Sequence, residues 1–92
     1  MTDNSTLLQE DVEVISENQL NRKLVVHNDD VNTFEWVIKA LMEICKHDEV
    51  QAEQSSYIIH HKGKYAVKIG SYNVLKPMKE AILDRGINST ID

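Results

Sequence analysis

Residues 24–45 are LVVHNDDVNTFEWVIKALMEIC, and this stretch decides the fold. Residues 24–27 form a short, apolar, β-branched run that is typical of a buried strand. Residues 28–32 are short and polar and carry turn and helix-capping chemistry. The following apolar side chains have the spacing of one helical face: Phe34, Val37, Ile38, Leu41, Met42 and Cys45. We therefore predict a strand, a polar loop and a helix.

The second half of the chain also contains sequence patterns that are typical of helices and strands. Asp48 is placed to cap a second helix, and Gly63 is a suitable left-handed end for it. In residues 65–69, Tyr65, Val67 and Ile69 alternate with Ala66 and Lys68, which predicts a strand with one buried face. We place the cap of a third helix at Asn73 and a short final strand at residues 87–91.

The predicted order of elements is β-α-α-β-α-β, a small α+β sandwich. Its three-stranded antiparallel sheet would pack on three helices. The length of 92 residues suits one small domain with a single modest core. Residues 1–22 are acidic and polar, with no basic residue before Arg22. We expect them to form a flexible N-terminal extension and residues 23–92 to form the folded domain.

Charge and cysteine content argue against several classes of protein. The net charge is -5 and no basic stripe is present, so we expect no nucleic-acid partner. The single cysteine, Cys45, cannot form an internal disulfide or a zinc site of the usual kind. His60 and His61 are adjacent and point about 100° apart on a helix, so we expect no metal or other cofactor. A secretory signal and an apolar membrane span are both missing, which predicts a cytoplasmic protein without a membrane partner.

Polar acceptors and apolar side chains are expected to meet at one place in this fold. Ser56, Ile59 and His60 share one face of the second helix. If the first two helices pack as a hairpin, the end of the second returns to Asn28 and Asp29. The resulting hollow would have acceptors at its mouth and carbon within. Such a hollow suits a free protein N-terminus, which has a cationic donor group and, with a bulky first residue, an apolar side chain.

The segment LVVHNDDVNTFEWV, followed by IIHHKGKYAV, resembles the ClpS family of N-end-rule adaptors. These proteins deliver substrates with destabilising N-terminal residues to Clp-type AAA+ unfoldases. The resemblance covers about residues 23–91. It implies that Asn28, Asp29 and His60 hold the α-amino group of the substrate, with Asp29 acting through a water molecule.

The resemblance also implies the remaining contacts with the substrate. Asp30 and Asn32 match positions that contact or orient the substrate backbone. Five residues match the lining of the side-chain pocket: Phe34, Val37, Ser56, Ile59 and Ile87. Ser56 replaces a methionine that many relatives carry, so the preference among N-terminal Phe, Tyr, Trp and Leu stays open. The implied partner is the N-terminal domain of an unfoldase of the ClpA or ClpC type, with the adaptor acting as a monomer.

Two other classes of function remain as alternatives. Paired carboxylates and a histidine can perform general acid–base chemistry, but the chain has no activated nucleophile or metal set, so we expect no enzyme. A small ribosome- or complex-associated interaction module without N-terminus recognition is the second alternative, since fold does not determine function. Trp36 lies off the apolar stripe and fits either a partner surface or ordinary edge packing.

Overall fold

The structure describes residues 21–92 and is a computed structural model. The flexible extension predicted for residues 1–22 lies almost entirely outside the described residues. The elements, in chain order, are β1 (Arg22–His27), α1 (Phe34–Ile44), α2 (Glu49–Lys62), β2 (Lys64–Gly70), α3 (Tyr72–Asp84) and β3 (Ser89–Ile91). The predicted β-α-α-β-α-β order is confirmed.

The sheet has the strand order β2-β1-β3, and both outer strands are antiparallel to the central β1. His27, the last residue of β1, pairs with Lys64, the first residue of β2. Hydrogen bonding continues one residue further, because the Asn28 N–H donates to the Gly63 carbonyl oxygen at 2.8 Å. The loop after β1 is therefore attached to the end of α2.

The prediction of one buried face on β2 is only partly right. Val67 is buried, but Tyr65 is 39% exposed and Ile69 is 64% exposed. The register of the β1–β2 pairing shifts opposite Val67, which is the extra residue of a β-bulge. A bulge bends a strand and changes the direction of its side chains. The alternation in the sequence holds, but the strand does not keep all three apolar side chains on the core.

Asp48 caps α2 as predicted, whereas the cap of α1 is Thr33, one residue after the segment 28–32 to which the sequence analysis assigned capping. The Trp36 N–H donates to Thr33 Oγ1 at 3.1 Å, and the Gln51 N–H donates to Asp48 Oδ1 at 2.7 Å. Gly63 ends α2 with φ at 93°, in the left-handed region that glycine adopts without strain. These ends determine where the loop before α1 and the last turn of α2 lie.

Ser71 caps the third helix, so the predicted cap at Asn73 is wrong. Ser71 Oγ accepts the Val74 N–H at 3.3 Å. Both residue types are good caps, and the chain uses the one directly after β2 because the turn out of the strand is already complete there. Pro77 therefore lies inside α3, where it removes the N–H that would have donated to the Asn73 carbonyl.

The core lies between the sheet and the helices. Its buried residues come from every element or from the turns beside it: Leu24, Val26, Ala40, Leu41, Cys45, Ala52, Ile59, Val67, Leu75, Ile82 and Ile87. Burial raises the pKa of the Cys45 thiol to about 11, so the thiol is protonated at neutral pH and unsuited to act as a nucleophile. None of the helices within residues 21–92 has the length and apolar character to cross a membrane.

We predict that Leu75→Ala lowers the free energy of unfolding by about 2 to 5 kcal/mol, because it leaves a cavity at a fully buried position. The matched control is Leu83→Ala in the same helix, where the side chain is 42% exposed and the loss should be much smaller. Urea unfolding of the two variants measures both values. Equal losses would contradict the assignment of Leu75 to the core.

Candidate functional site

A cavity of about 360 Å³ lies between the loop after β1, the start of α1 and the end of α2. Its walls are formed by Asn28, Asp29, Asp30, Asn32, Thr33, Phe34, Val37, Ser56, Ile59 and His60. The structure thus brings together every residue that the sequence analysis assigned to the site, with one exception. The two helices pack as the hairpin that this arrangement required.

Ile87 is the exception. It is 2% exposed and packs in the core among buried apolar side chains, and the structure does not place it on the cavity wall. Thr33 is the residue that the sequence analysis missed. It lies between two predicted site residues, Asn32 and Phe34, and that position is the signal that could have identified it.

The backbone of β1 and β2 positions the mouth of the cavity. The bond from the Asn28 N–H to the Gly63 oxygen holds Asn28 beside the last turn of α2, which carries His60. Gly63 in turn donates its N–H to the Ile59 oxygen at 2.9 Å, so that turn is closed before the chain enters β2. Asn28 and His60 are both exposed and face the same cavity.

Asp29 organises the loop. Its Oδ1 accepts the N–H groups of Val31 and Asn32, each at 2.8 Å, and its Oδ2 accepts Asn32 Nδ2 at 2.7 Å. The bond from the Asn32 backbone N–H is the main reason that the pKa of Asp29 is lowered from its ordinary value of 3.8. At neutral pH Asp29 is therefore an anion whose two oxygens are already engaged by the loop.

Asn32 links this loop to the turn between α3 and β3. Its Nδ2 donates to Asp29 and also to the Gly86 oxygen, at 2.9 Å, in the turn between α3 and β3. Both hydrogens of the side-chain amide are therefore used. Only Oδ1 of Asn32 is left for a ligand, so its main role in this structure is to position Asp29.

Trp36 and Arg85 reinforce the same turn. Trp36 Nε1 donates to the Arg85 oxygen at 2.9 Å, and the Arg85 guanidinium lies 5.6 Å from the centre of the indole ring. Arg85 also forms an ion pair with Glu43 at 2.6 Å. These contacts pack one edge of Trp36 against its own chain, and the side chain remains 37% exposed.

Only one of the two adjacent histidines lies on the cavity. The ring of His61 lies 4.1 Å from the ring of Tyr57, on a different face of α2 from His60. Within the described residues, 21–92, no group of three His, Cys, Asp or Glu side chains is placed to hold a metal ion.

The chemistry of the cavity changes from its mouth to its interior. The mouth has the carboxylates of Asp29 and Asp30, the Asn28 amide and the His60 imidazole. The apolar lining is Phe34, Val37 and Ile59, of which Ile59 is buried beside Ser56 and Phe34 is 40% exposed. This combination favours a small cation at the mouth and an apolar group inside.

We predict that Asp29→Asn destabilises the fold at neutral pH, because an amide nitrogen would replace one of the oxygens that accept bonds from the loop. The hydrogen bonds favour the ionised form, so their contribution is present above the unfolded-state pKa. It is lost as the pH falls through the lowered folded-state pKa of Asp29. Thermal unfolding of both proteins at neutral and strongly acidic pH should show a difference that shrinks in acid.

The matched control is Asp30→Asn, which removes the same charge one residue later. No hydrogen bond from the loop to the Asp30 side chain is present within residues 21–92, so its effect on unfolding should be small at every pH. Indistinguishable pH profiles for the two variants would show that the loop does not depend on Asp29.

Comparison with known proteins gives a consistent result. Residues 17–89 match the family model described as ATP-dependent Clp protease adaptor protein ClpS. The ATP-dependent Clp protease adapter protein ClpS of Shewanella halifaxensis is 36% identical over 63 residues, which are 68% of this chain and 62% of that protein. The ClpS adapter of Shewanella pealeana matches with the same identity and coverage. The chain thus spans 62% of the length of these curated relatives.

The fold agrees with that of a solved relative. The structure of Agrobacterium tumefaciens ClpS2 bound to L-phenylalaninamide superposes with a TM-score of 0.73 and covers 80% of this chain and 96% of the other. At 19% sequence identity, this similarity shows a shared fold. Because the family model matches most of the sequence, including all of the described secondary structure up to Ser89, the chain belongs to the ClpS family.

Proposed function

We propose that this protein is a non-catalytic adaptor that binds the free N-terminus of other proteins and delivers them to a Clp AAA+ unfoldase. The observation that supports it is the cavity, which joins hydrogen-bond acceptors and negative charge at its mouth to an apolar interior. An α-ammonium group attached to a bulky side chain has the complementary chemistry. The family to which the chain belongs supports the link with the Clp protease.

The α-ammonium has three N–H donors in a compact array. The Asn28 amide oxygen and a neutral nitrogen of His60 each accept one of them. Asp29 already accepts three bonds from its own loop, so it contributes its negative charge and the one remaining acceptor position, through a water molecule. The negative charge of the neighbouring Asp30 adds to the attraction of a cation.

The first side chain of the substrate enters the apolar part of the cavity. Burying an aromatic or leucine side chain against Phe34, Val37 and Ile59 contributes roughly 1.5 to 3 kcal/mol. The related ClpS2 has been solved with L-phenylalaninamide, which carries an amino group and a phenyl ring. We propose the same class of ligand here, namely proteins that begin with Phe, Tyr, Trp or Leu.

The chain of the substrate leaves the cavity along the loop. Asp30 and the free Oδ1 of Asn32 lie on that side and would accept hydrogen bonds from the backbone N–H groups after the first residue. We propose an unfoldase of the ClpA or ClpC type as the partner that receives the bound substrate.

An acid–base enzyme is the less favoured alternative, because Asp29 has the wrong properties for a general base. Its pKa is lowered and both of its oxygens are occupied, whereas a general base works best with a pKa near the working pH. The cavity supplies acceptors that hold a cation, which is a binding role.

The direct test uses two peptides that differ only in a free or acetylated N-terminus, each beginning with Phe and labelled at the C-terminus. Fluorescence anisotropy should show that acetylation weakens binding by about tenfold or more, because it removes the charge and leaves the acceptors at the mouth unpaired. Equal affinity for the two peptides would reject the proposed function in favour of an interaction module that does not read N-termini.

A second prediction concerns Asn28. Asn28→Ala should weaken binding of the free peptide by about 1.5 to 3 kcal/mol, the contribution of one charge-assisted hydrogen bond. The fold should survive, because the bond from the Asn28 backbone to Gly63 does not involve the side chain. Asn73→Ala, an exposed position on α3 away from the cavity, is the matched control. Unchanged affinity in Asn28→Ala would show that Asn28 is not a ligand of the amino group.

A further inference from the structure

Ser56 is a polar residue in the apolar part of the cavity. It is 2% exposed, it lines the cavity wall, and its Oγ has no hydrogen-bond partner within residues 21–92. A buried hydroxyl without a partner is costly, and most buried polar groups avoid that state. The other hydroxyl on the wall, that of Thr33, already accepts the Trp36 N–H at 3.1 Å. Ser56 therefore has an unused donor and an unused acceptor beside the space that a ligand would fill.

The distance from the mouth to Ser56 suits one kind of side chain. Ser56 lies four residues before His60 on the same face of α2, which is about 6 Å along the helix axis. A first residue whose amino group binds at His60 directs its side chain along α2 toward Ser56. That separation is similar to the length of a tyrosine side chain, which carries its hydroxyl at the far end of the ring.

We propose that Ser56 determines specificity by forming a hydrogen bond with the phenol of an N-terminal tyrosine, so that tyrosine is preferred over phenylalanine. This inference rests on the proposed function. Both hydroxyls can donate and accept, so the bond forms in either direction. Phenylalanine fills the same space but leaves the Ser56 hydroxyl unpaired.

The test with the natural protein uses three peptides that differ only in the first residue: Phe, Tyr and 4-methylphenylalanine. The last of these has a methyl group in place of the phenol hydroxyl and controls for the size of the ring substituent. Tyr should bind about threefold to tenfold more tightly than either of the others, which corresponds to one neutral hydrogen bond. Equal affinity for Tyr and 4-methylphenylalanine would overturn the proposal without any variant.

The variant test removes the hydroxyl. Ser56→Ala should reduce the ratio of Tyr to Phe affinity by the same factor, because it removes the hydroxyl that only the tyrosine ligand pairs with. Ser55→Ala is the matched control, because Ser55 is the adjacent buried serine of α2 and does not line the cavity. It should keep the ratio of the natural protein. An unchanged ratio in Ser56→Ala would overturn the proposal.

Acetylated forms of the same peptides separate this inference from the proposed function. If acetylation abolishes binding and the ratio of Tyr to Phe affinity is equal in the natural protein and Ser56→Ala, only the role of Ser56 is wrong. If acetylated and free peptides bind equally, the proposed function fails, and the inference about Ser56 fails with it.

Discussion

The site depends on one backbone hydrogen bond, from the Asn28 N–H to the Gly63 oxygen at 2.8 Å. It extends the β1–β2 pairing past the end of both strands and brings together two segments that are separated in the sequence by both α1 and α2. One segment is the acidic loop, and the other is the last turn of α2 with His60. Because the bond joins backbone atoms, it does not depend on the side chain of Asn28. The left-handed conformation of Gly63 makes this approach possible.

The negative charge at the mouth has two effects in this structure. Inside the loop, the carboxylate of Asp29 replaces the sheet as a partner for two backbone N–H groups, so a short polar segment is ordered without burying much carbon. Toward the cavity, the same charge attracts a cation. Asn32 couples these effects to the rest of the fold through its bond to Gly86. A change in the α3–β3 turn therefore reaches the mouth through two hydrogen bonds.

Much of the fold follows from the sequence because its signals are local. The apolar face from Phe34 to Cys45 and the cap at Asp48 describe single helices, and both are present as predicted. The sequence also predicted that Asn28 and His60 lie near each other, because a helical hairpin returns the end of α2 to the start of α1. The bulge at Val67 and the burial of Ile87 depend on strand register and on packing from several elements, which periodicity does not reveal. Serine and asparagine are equally good helix caps, so the sequence alone did not distinguish Ser71 from Asn73.

The bulge at Val67 has a consequence beyond the site. β2 is an outer strand of the sheet within residues 21–92, so its free edge offers unpaired backbone groups to any extended chain. Ile69 on this strand is largely exposed, and an exposed apolar side chain favours association with another chain at such an edge. A bent strand is a poor template for a straight one. The β-bulge, which keeps β2 from burying all of its apolar side chains, thus also disfavours aggregation of the sheet with other extended polypeptides.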